Sequence, residues 1–313
     1  MSAPNRLTTS TSLLVINLTL AACVATATPA PTPAPTATII PTATSLPIPE
    51  PTLQPTLGAG FRFSTYGPPS DPGPEYWDSV GQQMAEKFPD ATPQAIWIVS
   101  NFGIRGTIFT FPGTHDDFNI HFSSQDKNEA ALTLFDQTGL KVWLQVEPGQ
   151  VDVNELFRIM YAQYGHHPCV IGFGIDVEWY QSDGTPEGKP VTDEVAAEWV
   201  TTARSLNPAY RVFLKHWEQT MLPPTYRDGL LFVDDSQQLD SFDAIIDEFA
   251  AWGRSFAPAP VGFQYGYTSD QKWWGDLADP PGDIGRRILE TTPNTESLFW
   301  VDFTVLQLFP PQP

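Results

Sequence analysis

From Phe61 to the C-terminus, short apolar runs alternate with amphipathic stretches, and this rhythm narrows the folds open to the chain. The candidate strands are residues 62–66, 95–100, 141–147, 170–179, 211–217, 230–234, 261–267 and 297–303. Candidate helices fall between them at 74–88, 128–138, 153–164, 193–205, 241–252 and 284–291. Thr192 with Asp193, and Ser241 with Asp243, supply helix-start signals, because a short oxygen-bearing side chain can accept from the first free backbone amides. Parallel strands need long return crossovers, and strands alternating with helices provide them; eight such strands close a barrel. The expected architecture is a single (β/α)8 TIM barrel over residues 61–313. A doubly wound open sheet is the competing fold, but no Gly-x-Gly-x-x-Gly follows any strand. Residues 106–122 break the rhythm with two β-like runs, 107–111 and 118–121, and are expected to form an elaborated loop or hairpin.

The fourth strand carries the strongest pattern. Ile171, Phe173, Ile175 and Val177 form one face, while Gly172, Gly174, Asp176 and Glu178 form the other. Bulky aliphatics suit the helix-facing side of a barrel wall, and glycines suit a crowded interior. Two carboxylates at the C-terminal end of that inner face stand where a (β/α)8 enzyme carries its chemistry.

The same parity test places Trp143, Gln145 and Glu147 inside on the third strand, and Lys215 and Trp217 inside on the fifth. Gln264 faces inward on the seventh strand, Trp300 and Asp302 on the eighth, and Ser64 and Tyr66 on the first. Neighbouring parallel strands stand about 4.8 Å apart, so Glu147, Asp176 and Glu178 should crowd together at the mouth. Three crowded carboxylates cannot all ionise without cost, so at least one should keep its proton at neutral pH. An acid beside a base is what glycoside hydrolysis requires, and Lys215 stands ready to neutralise one of the three. Tyr66, Trp143, Trp179, Trp217 and Trp300 offer flat faces for sugar rings, and Gln145, Gln264, Tyr267 and Asp302 complete the candidate substrate contacts. Against this stands a plainer reading, in which strand-end carboxylates are structural ion pairs or helix caps and barrel tryptophans are core.

The N-terminus reads as targeting sequence. Arg6 precedes an apolar run from Leu13 to Leu20, too short to span a membrane, and Leu20-Ala21-Ala22-Cys23 follows. This resembles the lipobox of bacterial lipoproteins, which implies a signal peptide at 1–22 and lipidation of Cys23; an ordinary cleaved signal peptide is the alternative. Residues 23–60 are mostly Pro, Thr and Ala. Proline removes backbone donors and fixes φ, so this stretch should be a disordered, extended tether. The expectation is a cell-surface protein anchored to the membrane through Cys23.

Composition sets further bounds. A formal net charge of −20 argues against nucleic acid or anionic lipid surfaces as partners. With Cys23 lipidated, Cys169 has no partner for a disulfide and is expected to be a buried thiol. His166-His167-Pro168 precedes the fourth strand, where a stability or surface role is expected. Asp234-Asp235-Ser236 and His115-Asp116-Asp117 either bind Ca²⁺ or cap loops, and neither has metal-loop spacing. No metal and no cofactor are expected.

At Gly174-Ile-Asp-Val-Glu-Trp179 the chain resembles TIM-barrel glycoside hydrolases whose fourth strand ends in Asp-x-Glu, the chitinase-like family 18 and the lysozyme-like family 25. The resemblance implies that Glu178 is the proton donor and Asp176 its helper, and that Trp300 floors the sugar site. Where the chitinase pattern has further aspartates this chain has Ile171 and Gly174, and where the lysozyme pattern has a first-strand aspartate it has Ser64-Thr65-Tyr66. The leading expectation is an exported, membrane-tethered glycoside hydrolase acting on a polysaccharide, with Glu178 as acid and Asp176 or Glu147 as base, nucleophile or orienter. The alternatives are a non-catalytic carbohydrate-binding lipoprotein on the same barrel and a metal-dependent hydrolase using Asp176, Glu178 and histidines.

Overall fold

The structure is a computed structural model that describes residues 56–311. The expected signal segment 1–22, the lipidation site Cys23 and the tether as far as residue 55 lie outside the described residues. In chain order the elements are β1 (Gly58–Phe63), α1 (Pro74–Ala85), β2 (Thr92–Ile98), β3 (Ser100–Gly103), β4 (Gly106–Phe109), β5 (Ile120–Phe122), α2 (Glu129–Thr138), β6 (Lys141–Val146), α3 (Val153–Tyr164) and β7 (Val170–Asp176). There follow α4 (Asp193–Leu206), β8 (Arg211–Lys215), β9 (Leu230–Asp234), α5 (Phe242–Phe256), β10 (Val261–Tyr265), α6 (Gln271–Trp274), α7 (Pro280–Thr291), β11 (Thr295–Val301) and α8 (Asp302–Leu308).

Strands β1, β2, β6, β7, β8, β9, β10 and β11 pair in parallel in that order, and β11 returns to β1 to close the barrel. The fold is a (β/α)8 TIM barrel. The β8–β9 link holds a single 3-10 turn, Gln219–Met221, in place of an α-helix. Thr192 and Ser241 cap α4 and α5 by accepting from Val195 N and Ala244 N, as their chemistry predicts. The irregular segment forms a separate three-stranded sheet in which β4 pairs antiparallel with β3 and parallel with β5.

Two apolar layers follow from the period-two alternation of the strands. Inside the barrel, Ile96, Ile98, Trp143, Phe213, Leu231, Val233 and Phe299 form a closed core. Outside, the opposite strand faces pack on the helices, with Phe61, Trp97, Leu144, Phe173, Leu214 and Phe263 among them. The glycine face of β7 is turned inward because the interior is full: a Cβ on Gly174 would stand 2.0 Å from the Phe213 ring, and one on Gly172 would stand 2.7 Å from Trp143.

Four strand readings change. β1 begins at Gly58, so residues 58–60 belong to the barrel rather than the tether. Their small side chains read as low complexity but answer a close approach, since a Cβ on Gly60 would fall 1.6 Å from the Gln94 carbonyl oxygen. β7 ends at Asp176, and Glu178 sits in a 3-10 turn, Val177–Trp179. Ile171 faces the inner core because the β6–β7 register shifts between Val142 and Trp143. On β11 the inner residue is Phe299, and Leu298 and Trp300 pack outward. That strand is bulky at every position, so its sequence offers no contrast from which to choose the parity.

Candidate active site

The C-terminal ends of the strands converge on one lysine. Lys215, the last residue of β8, is buried, and its Nζ lies 2.5 Å from Glu178 Oε1, 2.5 Å from Asp235 Oδ2 and 3.0 Å from Asp176 Oδ2. Burial alone would drive the proton off this amine. The three carboxylates outweigh it and raise the Lys215 pKa well above the ordinary lysine value, so the ammonium is permanent.

The acids around it are not equivalent. Asp235 is buried, which favours its neutral form, but Lys215 and a hydrogen bond from Glu178 overcome burial and hold its carboxyl below the usual range. Glu178 is pushed the other way, well above the usual range, by burial and by the charge of Asp235. Asp176 rises to about 6, chiefly through burial, with Lys215 opposing. Gln145 Nε2 donates to its Oδ2 at 3.3 Å, while Asp176 Oδ1 has no partner among the described residues. The cluster therefore favours the proton on Glu178 over Asp235.

Glu147 follows β6. Its Oε2 accepts from Phe102 N at 2.7 Å, and its Oε1 accepts from the Tyr66 hydroxyl. Burial and the neighbouring Asp176 raise its pKa to about 8, so it carries a proton at pH 7. The sheet of β3, β4 and β5 is tied to the mouth at this point, because Phe102 lies on β3 and its ring packs 5.4 Å from that of Trp179.

A cavity of about 590 Å³, within the usual range for ligand sites, opens above the lysine. Glu178, Asp235, Glu187, Glu218 and Glu248 line it together with the half-exposed Trp217. Of the three carboxylates expected to be catalytic, Glu178 is the one that reaches this cavity. Asp176 lies beneath it on Lys215 and Gln145, and Glu147 is covered by Tyr66. Gln264 and Tyr267 meet at the mouth, where the Tyr267 hydroxyl donates to Gln264 Oε1 at 3.3 Å.

Three expected sugar contacts are placed elsewhere. Trp300 is fully buried on the outer face, 5.4 Å from the Tyr265 ring and 5.3 Å from that of Trp274, with its Nε1 donating to Thr304 Oγ1 at 2.9 Å. Trp143 does point inward, but into the packed core, edge-on to Phe213 at 5.8 Å and hydrogen-bonded to Gln94. Asp302 opens α8 fully buried. It is ion-paired with Arg62 and accepts from Ser64 N and Oγ at 2.5 and 2.8 Å, so it fastens β1 to β11.

Asp235 is the site residue that the strand reading missed, although its signal is present. Leu231 and Val233 face inward on β9, and the same parity carried one residue past the strand aims Asp235 at the mouth. Arg62 was likewise passed over, although it shares the inner parity of Ser64.

No family model matches the sequence, and no curated protein matches it. Among solved structures, the chain is similar to a Bacteroides thetaiotaomicron protein provisionally assigned as an α-L-fucosidase, with a TM-score of 0.50 and 10% identity over 86% of this chain and 92% of that one. It is also similar to Bacteroides uniformis β-glucuronidase 2, with a TM-score of 0.47 and 16% identity over 79% of this chain. The chain spans 30% of that enzyme's length. The first of these likenesses shows the barrel fold.

Proposed function

We propose that this chain is an exported glycoside hydrolase, tethered to a membrane through Cys23, which cleaves a polysaccharide at the C-terminal mouth of its barrel. The observation that carries the reading is the placement of Glu178 and Asp235 on one cavity, both held by Lys215, with their carboxyls shifted in opposite directions. The glycosidase descriptions attached to barrels of the same fold support it by analogy.

In this reading Glu178 protonates the departing glycosidic oxygen, and the bond from that oxygen to the anomeric carbon breaks. Glu178 and Asp235 both lie 2.5 Å from Lys215, and a bound sugar would have to part them to the separation of about 5–5.5 Å that a retaining reaction uses. Asp235 then forms the bond to the anomeric carbon, and water, deprotonated by Glu178, later displaces it with the original configuration restored. Asp176 acts through Lys215 rather than on the sugar. Trp217 supplies a stacking face. The test is release of reducing sugar from chitin, peptidoglycan and plant polysaccharides by wild type and by Glu178→Gln. Hydrolysis that survives intact in the variant would remove the assignment.

One observation favours a second reading, a carbohydrate-binding lipoprotein without catalysis. Lys215 binds an oxygen of Asp176, Glu178 and Asp235 at once, so one ammonium restrains all three acids of the cluster. Glycan binding with no product after long incubation would select it. The tether is tested separately: Cys23→Ala should leave the protein in the soluble fraction, and retention of the variant on membranes would refute the anchor.

A further inference from the structure

Away from the mouth, the flank of α2 meets the link between α3 and β7 in a group of nitrogen and oxygen ligands. His167 is buried, and its Nδ1 lies 2.7 Å from Asp136 Oδ2, which identifies that nitrogen as the donor. Its Nε2 then presents a lone pair, yet it faces Glu129 Oε2 at 3.4 Å. The neighbouring His166 aims its own Nε2 at the other oxygen of the same carboxylate, 3.9 Å away. The two imidazole rings lie with centroids 4.0 Å apart and their planes tilted by 39°. The carboxylate between these imidazoles is compensated either by protons on the rings or by a metal cation among the three groups.

We propose that Glu129, His166 and His167 form a binding site for a divalent cation of the zinc class. Zinc takes imidazole nitrogen and carboxylate oxygen at about 2.0–2.1 Å, so ligands at tetrahedral corners stand about 3.3 Å apart. The three ligand atoms lie within 4.8 Å of one another, and the shortest separation is already at that spacing. His166 and Glu129 are solvent-exposed and free to close the remainder. Asp136 supplies the outer carboxylate that fixes the tautomer and orientation of a ligating histidine. It is itself anchored, since its Oδ1 accepts from Cys169 N at 2.9 Å. The fourth position opens to solvent, because His166 and His167 also line a surface cavity of about 440 Å³. Cys169 is left out, as burial pushes its thiol up and its Sγ is directed at the Leu132 carbonyl. The ion would staple the start of α2 to the entry of β7, at the opposite end of that strand from Asp176, and serve stability rather than catalysis.

The experiment is calorimetric titration of ZnCl₂ into the full chain after chelator treatment and dialysis, with melting temperature followed in parallel. One equivalent should bind and raise the melting temperature. His166→Ala and Glu129→Gln, both at exposed positions, should each weaken binding by at least about tenfold, while His115→Ala should leave it unchanged. Absence of a stoichiometric site overturns the proposal. So does binding that survives His166→Ala and Glu129→Gln but disappears in Cys169→Ser, which would move the metal to the Asp136–His167–Cys169 group.

Discussion

Lys215 reaches from the end of β8 to Asp235, just beyond β9, with Nζ 2.5 Å from Oδ2 and both groups buried. This contact lowers the pKa of the Asp235 carboxyl, and the charge it keeps there raises that of Glu178. It also concentrates risk, because removing one partner of a buried ionic group strands the others without compensation. Lys215→Met should therefore destabilise the barrel by about 3–5 kcal/mol, read as a lower urea midpoint at unchanged slope. A variant as stable as wild type would show that the three acids are already neutral or solvated.

Glu178→Gln keeps the shape of the side chain and removes the transferable proton. Hydrolysis should fall by about 10²–10⁴-fold, the usual contribution of a positioned general acid. Circular dichroism and the unfolding midpoint should stay close to wild type, because Glu178 lines a cavity rather than the core. Unchanged turnover on a verified substrate would contradict its role.

Stability should depend on pH in a stated direction. Glu147 has its pKa raised from 4.5 to about 8, and Asp176 from 3.8 to about 6, with burial the largest cause in both. Between those values the folded chain holds more protons than the unfolded one, so stability falls as pH rises. The contribution is fully present below about pH 4 and is lost as pH passes about 8. Urea denaturation across this window should show the decline, and Glu147→Gln should flatten it. A slope identical in the two proteins would place the titration elsewhere.

Two tryptophans separate core from cleft. Trp300→Ala empties a buried site against Tyr265 and Trp274 and should cost about 3–5 kcal/mol. Trp217→Ala, at a half-exposed position lining the cavity, should change stability by less than about 1 kcal/mol. It should instead weaken oligosaccharide binding, measured by calorimetry or affinity electrophoresis. The opposite pattern, a fragile Trp217 variant and a stable Trp300 variant, would reverse the assignment of faces.

Much of the barrel was legible because period-two alternation and turn residues are local signals. β7 shows this most clearly: aliphatics on one parity and glycines on the other can be read without any partner strand. β11 shows the limit. Phe299 and Trp300 are equally apolar, so only the register with β10, which shifts between Val261 and Gly262, sets which of them turns inward. Ile171 was misplaced for the same kind of reason, since a register shift against β6 leaves no mark on a single sequence. Trp143 was given the correct face but the wrong depth, because parity states direction and says nothing about how much side chain fills the space above.

The sequence by itself determined the parallel strand order, the gathering of acids at the strands' C-terminal ends, and the candidacy of Glu178, Asp176, Glu147 and Lys215. These rest on spacing along the chain, which backbone geometry converts directly into faces and ends. Tertiary structure alone decided that Asp235 shares Lys215 with them, that Asp302 is committed to Arg62, and which way each buried carboxyl is shifted. Proton positions are set by distances between groups on different strands and by exclusion of water, and neither exists until the barrel has closed.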